Sequence, residues 1–411
     1  MNNWEKTTLK ELGCEFISGF AFKSSDYSNI GIPLIKIGNI QNRIVKIDLN
    51  GNFISIKNIE DKHERYFLNH NDVLIAMTGQ GSVGRVGRLK LDGEIRPFLN
   101  QRVGKFICNE MDLNIDFLYY VLSSKKYQEI LFNIGSGSGQ PNLSPNAILN
   151  VEIPKINYQI QKRIADVLSA LDDKIEVNNK INENLEAQAQ AIFKQWFVDF
   201  EFPDKEGKPY KSNGGKFIDS ELGKIPEGWK VGRLGDIADI IMGQSPKGTS
   251  YNEEKQGEIF YQGRTDFGNR FPTTRIYTTK PTRIAEANSI LFSVRAPVGD
   301  INITTDKCCI GRGLASLKSK NNNNSFLLYL MHSLDKQFKM FNGEGTVFGS
   351  INKDSLNGIK IIIPTDELII TFNEIANSAD NQIKNNFFQN RNLSEIRDSL
   401  LPKLMSGEIR V

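Results

Sequence analysis

A glycine-rich hexapeptide is the first stretch whose residue types and spacing could do chemistry. Gly79-Gln-Gly-Ser-Val-Gly84 matches the GxGxxG pattern of dinucleotide sites and follows a predicted strand. Such a site needs a helix to begin directly after the glycines, because the helix N-terminus binds the phosphates. Here Arg85-Val-Gly-Arg-Leu89 continues as a strand pattern. A tight β-turn is therefore the better interpretation.

A short acidic motif and three histidines are the next candidates for catalysis. Pro203-Asp-Lys-Glu-Gly-Lys208 resembles a nuclease site, but nuclease carboxylates must be held rigidly at metal distance on neighbouring strands. His63, His70 and His332 are scattered, and none has Cys or His at ligand spacing, so surface or core positions explain them better. No P-loop or GxSxG motif is present. The sequence predicts no catalytic residue, no metal and no cofactor.

Polar and basic residues on predicted turns offer a different chemistry, the recognition of nucleic acid. Arg, Asn and Gln can form paired hydrogen bonds with base edges, and Lys and Arg neutralise phosphates. Each residue alone is better explained as solvated surface, and only the set favours DNA. The predicted DNA-binding residues are Lys23, Tyr27, Asn39, Gln41, Arg43, Gln80, Ser82, Arg85, Arg88, Gln101, Arg102, Gln140, Lys247, Tyr251, Arg264, Asn269, Arg270, Arg275, Tyr277, Arg295, Arg312 and Thr346.

Two long helical segments are the elements that must position these turns. Apolar residues recur at alternating spacings of four and three between Ile164 and Trp196, and again, 208 positions later, between Phe372 and Leu404. This spacing is typical of the a/d seam of a coiled coil. The predicted seam residues are Ile164, Leu168, Leu171, Ile175, Asn178, Asn182, Leu185, Ile192, Ala379, Ile383, Asn386, Asn390, Leu393 and Leu400.

The polar interruptions of the two seams recur with the same offset, so the helices are related copies. The first helix leads from one globular half to the other, and the second leaves the end of the second half. We therefore expect an antiparallel pair, in which Asn178 faces Asn390 and Asn182 faces Asn386. Buried amides of this kind fix the register of a coiled coil and need hydrogen-bond partners.

The globular halves repeat each other loosely, which predicts a duplicated scaffold with different loops. Short strands with Gly and Asn turns dominate, and one helix is predicted at Asp116–Phe132. The fold class is α+β, with two similar mixed α/β domains, two long antiparallel helices forming a coiled coil, and a pseudo-twofold internal repeat. The predicted boundaries are 1–156 for the first domain, 157–198 for the first helix, 199–224 for a linker, 225–365 for the second domain and 366–406 for the second helix.

Composition narrows the class of protein. The chain has 411 residues, a net charge of +3 and 24% charged residues, which suits an ordinary folded protein of two or three domains. Its four cysteines lack the spacing of a disulfide framework, which favours a reducing compartment. No apolar run is long enough for a membrane span, and the N-terminus lacks the pattern of a signal peptide. We expect a cytoplasmic protein.

Several motifs are similar to those of a known family, the specificity subunits of type I restriction–modification systems. The resemblance covers essentially the whole chain. It departs from the usual pattern at Lys155 and Ile160, where a second proline and a glutamate are common, and the second copy diverges further. The matching motifs are Gly137–Ser144, Ile153-Pro154, Gln161–Ile175, Leu185–Phe197, Gly223–Trp229 and Leu400–Ile409.

The resemblance implies two target-recognition domains that read a bipartite double-stranded DNA site. It also implies two methyltransferase subunits as partners, and restriction–translocase subunits recruited through them. S-adenosylmethionine, ATP and magnesium would belong to those partners, so the chain itself would be a non-catalytic subunit. Two alternatives remain open from the residues alone: a coiled-coil adaptor that binds only proteins, and a solitary nuclease, which the missing metal site disfavours.

Overall fold

The computed structural model describes residues 4–48, 51–91, 93, 95–136, 141–295, 297–342 and 349–411. The chain divides into two compact units. Unit 1 consists of residues 1–178 and 388–411, and unit 2 consists of residues 179–387. Both divisions fall inside long helices, so each unit combines a globular part with a segment of each helix.

Unit 1 is built from twelve short strands among its described residues. They are β1 (Lys6–Thr8), β2 (Glu15–Ser18), β3 (Tyr27–Ser28), β4 (Ile32–Ile35), β5 (Ile40–Gln41), β6 (Ile44–Val45), β7 (Phe53–Ile54), β8 (Val73–Ala76), β9 (Val86–Leu89), β10 (Phe98–Leu99), β11 (Val103–Ile107) and β12 (Glu152–Pro154). A six-stranded sheet has the order β2-β11-β8-β9-β6-β5, a four-stranded sheet has the order β10-β4-β7-β3, and β1 pairs with β12.

The helices of the chain are unevenly distributed along it. They are α1 (Ile115–Ser123), α2 (Lys125–Gly135), α3 (Pro145–Leu149), α4 (Tyr158–Phe193), α5 (Leu234–Ile237), α6 (Asn324–Ser333), α7 (Asp335–Lys339), α8 (Lys353–Asn357) and α9 (Asp366–Ser406). The single helix predicted at 116–132 is two helices, because Ser124 is extended and its side chain caps α2 by accepting from the Tyr127 amide.

Unit 2 repeats the mixture of short strands and helices. Its strands are β13 (Phe217–Ser220), β14 (Gly223–Pro226), β15 (Lys230–Arg233), β16 (Ala238–Met242), β17 (Tyr251–Asn252), β18 (Glu258–Tyr261), β19 (Ile276–Thr278), β20 (Ile284–Ala285), β21 (Ile290–Val294), β22 (Val298–Ile303), β23 (Cys308–Ile310), β24 (Leu314–Ser319) and β25 (Lys360–Ile363). The sheets have the orders β16-β24-β21-β22 and β17-β19-β18-β23-β20, and β15 pairs with β25.

The segment 199–224, which the sequence predicted to be a linker, is folded. Strands β13 and β14 form an antiparallel hairpin. Phe202 stacks on Trp229 with ring centroids 5.1 Å apart, and it packs with Phe200 against the core of unit 2. The segment has the Pro, Gly and charge content of a linker, but burial of its aromatic surface stabilises a folded structure. The segment therefore belongs to the body of unit 2.

The two long helices begin and end close to the predicted boundaries, 157–198 and 366–406. Helix α4 continues as one π-helical turn, Lys194–Val198. None of the positions of the two heptad series is fully exposed, and Ile164, Leu168, Asn178 and Asn386 are buried. An apolar stripe at the a/d positions favours this burial, because burial removes the apolar side chains from water.

Each unit has a principal hydrophobic core that joins its globular part to both long helices. In unit 1 the core includes Leu168 of α4 and Leu404 of α9, packed with α1. In unit 2 it includes Phe193 of α4 and Phe372 of α9, packed with α6. No helix in the described part of the chain is long and apolar enough to cross a membrane.

Candidate nucleic-acid interface

One edge of the six-stranded sheet in unit 1 collects three loops. Strands β2 and β8 end there, at Ser18 and Ala76, while β11 begins there at Val103. The loops are joined by backbone hydrogen bonds, from the Gly19 amide to the Val103 carbonyl (3.0 Å) and from the Met77 amide to the Arg102 carbonyl (2.9 Å). We call this set of loops, residues 19–23, 77–85 and 100–102, the unit 1 edge.

The unit 1 edge carries exposed polar and cationic side chains. Among the described residues, neither Arg85 nor Arg102 lies within ion-pair distance of a carboxylate, so both charges face solvent. Burial of Lys36, and then the nearby charge of Arg102, lower the pKa of the Lys36 ammonium, as expected for clustered cations. The predicted DNA-binding residues on this edge are Lys23, Gln80, Arg85, Gln101 and Arg102, which are exposed, and Ser82, which is half-buried.

Unit 2 has a corresponding edge on its four-stranded sheet. Strand β16 ends at Met242 and β24 begins at Leu314, and the Gly243 amide donates to the Leu314 carbonyl (2.9 Å). The Arg312 amide donates to the Ser245 hydroxyl at 3.2 Å. We call residues 243–247, 295, 297 and 311–313 the unit 2 edge. Its exposed predicted residues are Lys247, Arg295 and Arg312.

Two glycines that the sequence analysis passed over fix the geometry of these edges. A Cβ atom on Gly19 would lie 2.2 Å from the Asn100 carbonyl oxygen, and one on Gly243 would lie 2.1 Å from the Gly311 carbonyl oxygen. Only glycine permits these close approaches. Lys23 and Lys247 each follow their glycine by four residues, so equivalent backbone contacts present equivalent lysines. A glycine directly after a strand in both halves was the available signal.

Some predicted residues use their side chains to build turns. The Asn39 amide oxygen accepts from the Lys36 amide (2.8 Å), and its nitrogen donates to the Lys46 carbonyl (2.9 Å). Gln41 donates to the Gly38 carbonyl (2.9 Å). Tyr27 lies under the Lys36 ammonium, 4.8 Å from the ring centroid. These contacts shape the loops and leave only part of each side chain for a ligand.

In unit 2, the predicted residues off the edge cluster around the segment 264–277. Arg264 is ion-paired with Asp300, and Arg275 with the buried Asp266 at 2.6 Å. The Tyr251 hydroxyl donates to the Pro246 carbonyl (3.0 Å). Asn269 is exposed and Tyr277 is half-buried. The arginines remain more than half exposed, so their outer faces are available.

Arg88 and Arg270 are buried, and their assignment as DNA contacts is withdrawn. Each residue is only 8% exposed. Arg88 Nη2 lies 2.8 Å from Asp116 Oδ1, and its guanidinium lies 4.1 Å from the Tyr119 ring centroid. Arg270 is ion-paired with carboxylates of the long helices. The physical reason is that a buried cation needs a compensating charge nearby, which Asp116 provides for Arg88 and the carboxylates of the long helices provide for Arg270. Gln140 and Thr346 lie outside the described residues.

The stretches that resembled catalytic motifs have structural roles. Gly79–Gly84 is the turn between antiparallel strands β8 and β9, as the sequence predicted. The carboxylate of Asp204 accepts from the Glu206 and Lys208 amides, both at 2.9 Å, and so closes a turn. His63 Nδ1 accepts from the Glu60 amide at 3.0 Å. Within the residues described here, no group of His, Cys, Asp and Glu could hold a metal ion.

Comparisons with known proteins agree with the duplicated architecture. The family model described as type I restriction modification DNA specificity domain matches twice, at residues 1–187 and 226–383. A Methanocaldococcus jannaschii protein assigned as the MjaX specificity subunit is 31% identical over all of this chain and 94% of its own length. The HindI specificity subunit of Haemophilus influenzae is 26% identical over the full length of both chains.

Among solved structures, the S subunit of the type I restriction-modification system of M. genitalium shares the fold. It superimposes with a TM-score of 0.56 at 19% identity, covering 98% of this chain and 96% of that one. The fold, the two matches to one domain model and the full-length relatives all point the same way. The chain belongs to the family of type I restriction–modification DNA specificity subunits.

Proposed function

We propose that this chain reads a bipartite double-stranded DNA site, with residues 1–156 reading one half and residues 225–365 reading the other. The observation that carries the proposal is the pair of sheet edges, where equivalent loops present exposed cations and amides on a shared frame. Lysine and arginine there suit phosphates, and Gln80, Gln101 and the arginines suit base edges. The residues between the frame positions differ, which suits two different half-sites.

The long helices support a second part of the proposal, an antiparallel coiled coil with a pseudo-twofold repeat. Within unit 1, the Asn178 side-chain nitrogen donates to Asn390 Oδ1 at 2.8 Å. Within unit 2, the Asn386 nitrogen donates to Asn182 Oδ1 at 2.8 Å. These are the two pairings expected from the seam. Unit 1 also pairs Asp172 with Arg397, and in unit 2 Phe193 packs on Phe372, so in each unit the partners on α9 run in reverse order to those on α4. Polar pairs of this kind specify register and orientation.

The proposed partners follow from the family. We infer that two methyltransferase subunits bind this chain, and that restriction–translocase subunits join through them. The chemistry of methylation and cleavage then belongs to the partners, and this chain contributes the choice of site. A coiled-coil adaptor without DNA recognition is not favoured by the family relationship.

Reconstitution tests the proposal. The full chain, assembled with its methyltransferase subunits, is used to methylate genomic DNA, and sequencing of the methylated positions defines the site. Binding to duplexes of that site is then measured across a salt series. Replacing Arg102 or Arg312 by Ala should weaken binding and lower the salt dependence by about one counterion each if the arginine contacts a phosphate. If it contacts a base, it should instead relax discrimination in one half-site.

Matched controls are Lys10→Ala and Lys230→Ala, which remove exposed cations on or beside the two-stranded sheets β1–β12 and β15–β25. These variants should bind as the wild type does. The proposal fails if the wild-type complex shows no sequence preference, or if the control lysines matter as much as the edge arginines. An adaptor without DNA recognition predicts the first of these results.

A further inference from the structure

The buried Arg270 stands at the centre of a charged cluster in unit 2 that the DNA-reading edge does not use. Its guanidinium is ion-paired with Asp380 of α9, and Nη1 lies 3.3 Å from Glu186 Oε1 of α4. Asp380 also accepts from the Tyr329 hydroxyl (2.8 Å) and the Ser325 hydroxyl (2.6 Å), both on α6. Arg270 therefore contacts both long helices, and Asp380 accepts hydrogen bonds from two side chains of the globular part.

Arg270 belongs to a loop that carries exposed candidates for DNA contact. Its neighbour Asn269 is exposed, and Arg264 lies six residues earlier in the same loop. The loop is also held to β22, because the Asn302 amide side chain bonds both the amide (3.0 Å) and the carbonyl (3.1 Å) of Gly268. The loop is thus fixed on one side by the sheet and on the other by the helices.

A related cluster in unit 1 repeats the helix aspartate and the tyrosine of this arrangement. Asp172 of α4 stands 208 residues before Asp380, and it accepts from the Tyr120 hydroxyl at 2.8 Å. Tyr120 and Tyr329 are the last residues of the matching stretches Phe117–Tyr120 and Phe326–Tyr329. Burial, and then the charge of the aspartate, raise the pKa of both tyrosine hydroxyls, so both remain protonated donors.

We propose that Arg270 and Asp380 are positioning residues for DNA recognition: they hold the loop 264–273 on the long helices in the orientation needed to read the second half-site. The inference rests on the proposed function. Arg270 would not touch DNA. Its planar guanidinium suits the task, since it can engage two carboxylates at once, whereas lysine presents a single point of charge. A loop held this way arrives at DNA already ordered, which lowers the entropic cost of reading.

The test measures discrimination, because a ratio of affinities does not depend on the folded fraction of a preparation. The full chain is assembled with its methyltransferase subunits. Its binding is compared between a duplex of the mapped site and duplexes with one base pair changed in either half. The half read by unit 2 is identified as the half where Arg312→Ala either removes a phosphate contact in ethylation interference or relaxes base discrimination.

A single mismatch is worth roughly five- to 150-fold when read correctly. At a base pair of that half whose mismatch costs the wild type more than about tenfold, Arg270→Gln and Asp380→Asn should each reduce discrimination by about tenfold. Discrimination in the other half should change by less than about twofold, as expected for distant, independent sites. Arg270→Lys should recover part of the loss. Asp380→Asn keeps the size and the hydrogen-bonding capacity of the side chain but removes the charge that pairs with Arg270, so it decides the matter if Arg270→Gln does not fold. The matched control is Lys339→Gln, which breaks an exposed ion pair on α7.

The outcomes separate the two proposals. Unchanged discrimination in Arg270→Gln, or in Asp380→Asn if the former does not fold, would overturn the positioning role. An equal loss in both half-sites would also overturn it, because a general loosening of the chain does not choose one half. Absence of sequence discrimination by the wild-type complex would instead refute the proposed function itself.

Discussion

The charged clusters around Asp172 in unit 1 and Asp380 in unit 2 share a frame and differ in their cation. In both, a tyrosine from the globular part donates to the aspartate at 2.8 Å. In unit 1 the arginine comes from the helix α9 itself, since Arg397 Nη1 donates to Asp172 Oδ1 at 2.5 Å. In unit 2 the arginine comes from the loop 264–273. The position 208 residues before Arg397 is the buried Ala189.

Unit 1 also has a loop arginine, but it reaches Asp172 only indirectly. Arg43, in the turn between β5 and β6, donates to Asp398 Oδ1 at 3.1 Å, and Arg397 donates to the same oxygen at 2.9 Å. In unit 1, Arg397 and Arg43 therefore share the ion-pairing role that Arg270 has alone in unit 2. The aspartate on the long helix and the tyrosine that donates to it occur in both units. The arginine comes from a helix in unit 1 and from a loop in unit 2.

The largest consequence of this difference is expected for Arg270. Its carboxylate partner Asp380 has only 14% of its side chain exposed, so removing Arg270 leaves a buried carboxylate that has hydroxyl donors but no compensating cation. Arg270→Met should lower the free energy of unfolding of unit 2 by about 3–5 kcal/mol. Native-state hydrogen exchange of the α6 amides measures it. Arg264→Met, whose partner Asp300 is more exposed, is the control and should cost less than about 1 kcal/mol.

Arg397 should matter less than Arg270. Asp172 has 26% of its side chain exposed, against 14% for Asp380, so water compensates more of its charge when the arginine is removed. Arg397→Ala, which copies the residue that unit 2 has at the matching position, should destabilise unit 1 by about 2 kcal/mol. Exchange of the α1 amides is the measurement. A cost equal to that of Arg270→Met would show that the greater exposure of Asp172 does not reduce the effect of losing its arginine.

The asparagine pairs of the two units also differ in their hydrogen bonds, and substituting them should lower the free energy of unfolding by unequal amounts. Asn386 donates to Asn182 and accepts from Gln382 at 2.9 Å. Asn178 donates to Gln389 Oε1 at 2.7 Å and to Asn390 Oδ1 at 2.8 Å, but its own Oδ1 is buried and has no hydrogen-bond partner among the described residues. Replacing Asn178 also removes this unpaired oxygen, which offsets part of the loss. Asn386→Leu should therefore cost about 1–2 kcal/mol, and Asn178→Leu less than about 1 kcal/mol. Chemical denaturation measures both, with the exposed Asn385→Leu as the matched control. The reverse order would contradict the hydrogen-bond assignment.

Much of the architecture could be predicted from the sequence, because apolar residues that keep heptad spacing over about five heptads fit few structures other than a long helix in a coiled coil. The long helices end within a few residues of the predicted boundaries, and both expected asparagine pairings are present. The break of the 116–132 helix at Ser124 was missed, since the capping choice of one serine is decided by the packing around it. The folded state of 199–224 was missed because its aromatic contacts, such as Phe202 with Trp229, are invisible to local composition.

The site was harder to predict than the fold. Arg270 and Asp380 are 110 residues apart, so nothing local distinguished this arginine from an exposed one. Asp172 and Asp380 each follow an a position of the heptad, a place that faces solvent in an isolated pair of helices. Here each globular part packs over that face. The sequence repeat did contain a signal for these clusters: Asp172 and Asp380 are separated by the same 208 residues as the two helices, and Tyr120 and Tyr329 end matching stretches.

The last expected effect is a difference between two variants of Arg43, where the loss of side-chain contacts and the relief of backbone strain oppose each other. Arg43 has φ +68° and follows Asn42 at φ +50° in a two-residue turn between β5 and β6, a geometry that favours Asn-Gly. Its side chain donates to the Ser123 hydroxyl at 2.9 Å and to Asp398, a carboxylate that is 59% exposed.

Arg43→Ala removes these contacts but keeps the unfavourable backbone conformation, and should destabilise unit 1 by about 1–2 kcal/mol. Arg43→Gly removes the same contacts and relieves the backbone, so its cost should be smaller by about 1 kcal/mol. Thermal or chemical unfolding of the two variants side by side gives the difference. Equal costs would mean that the left-handed conformation carries no strain, and that the side-chain contacts alone hold this turn against α1 and α9.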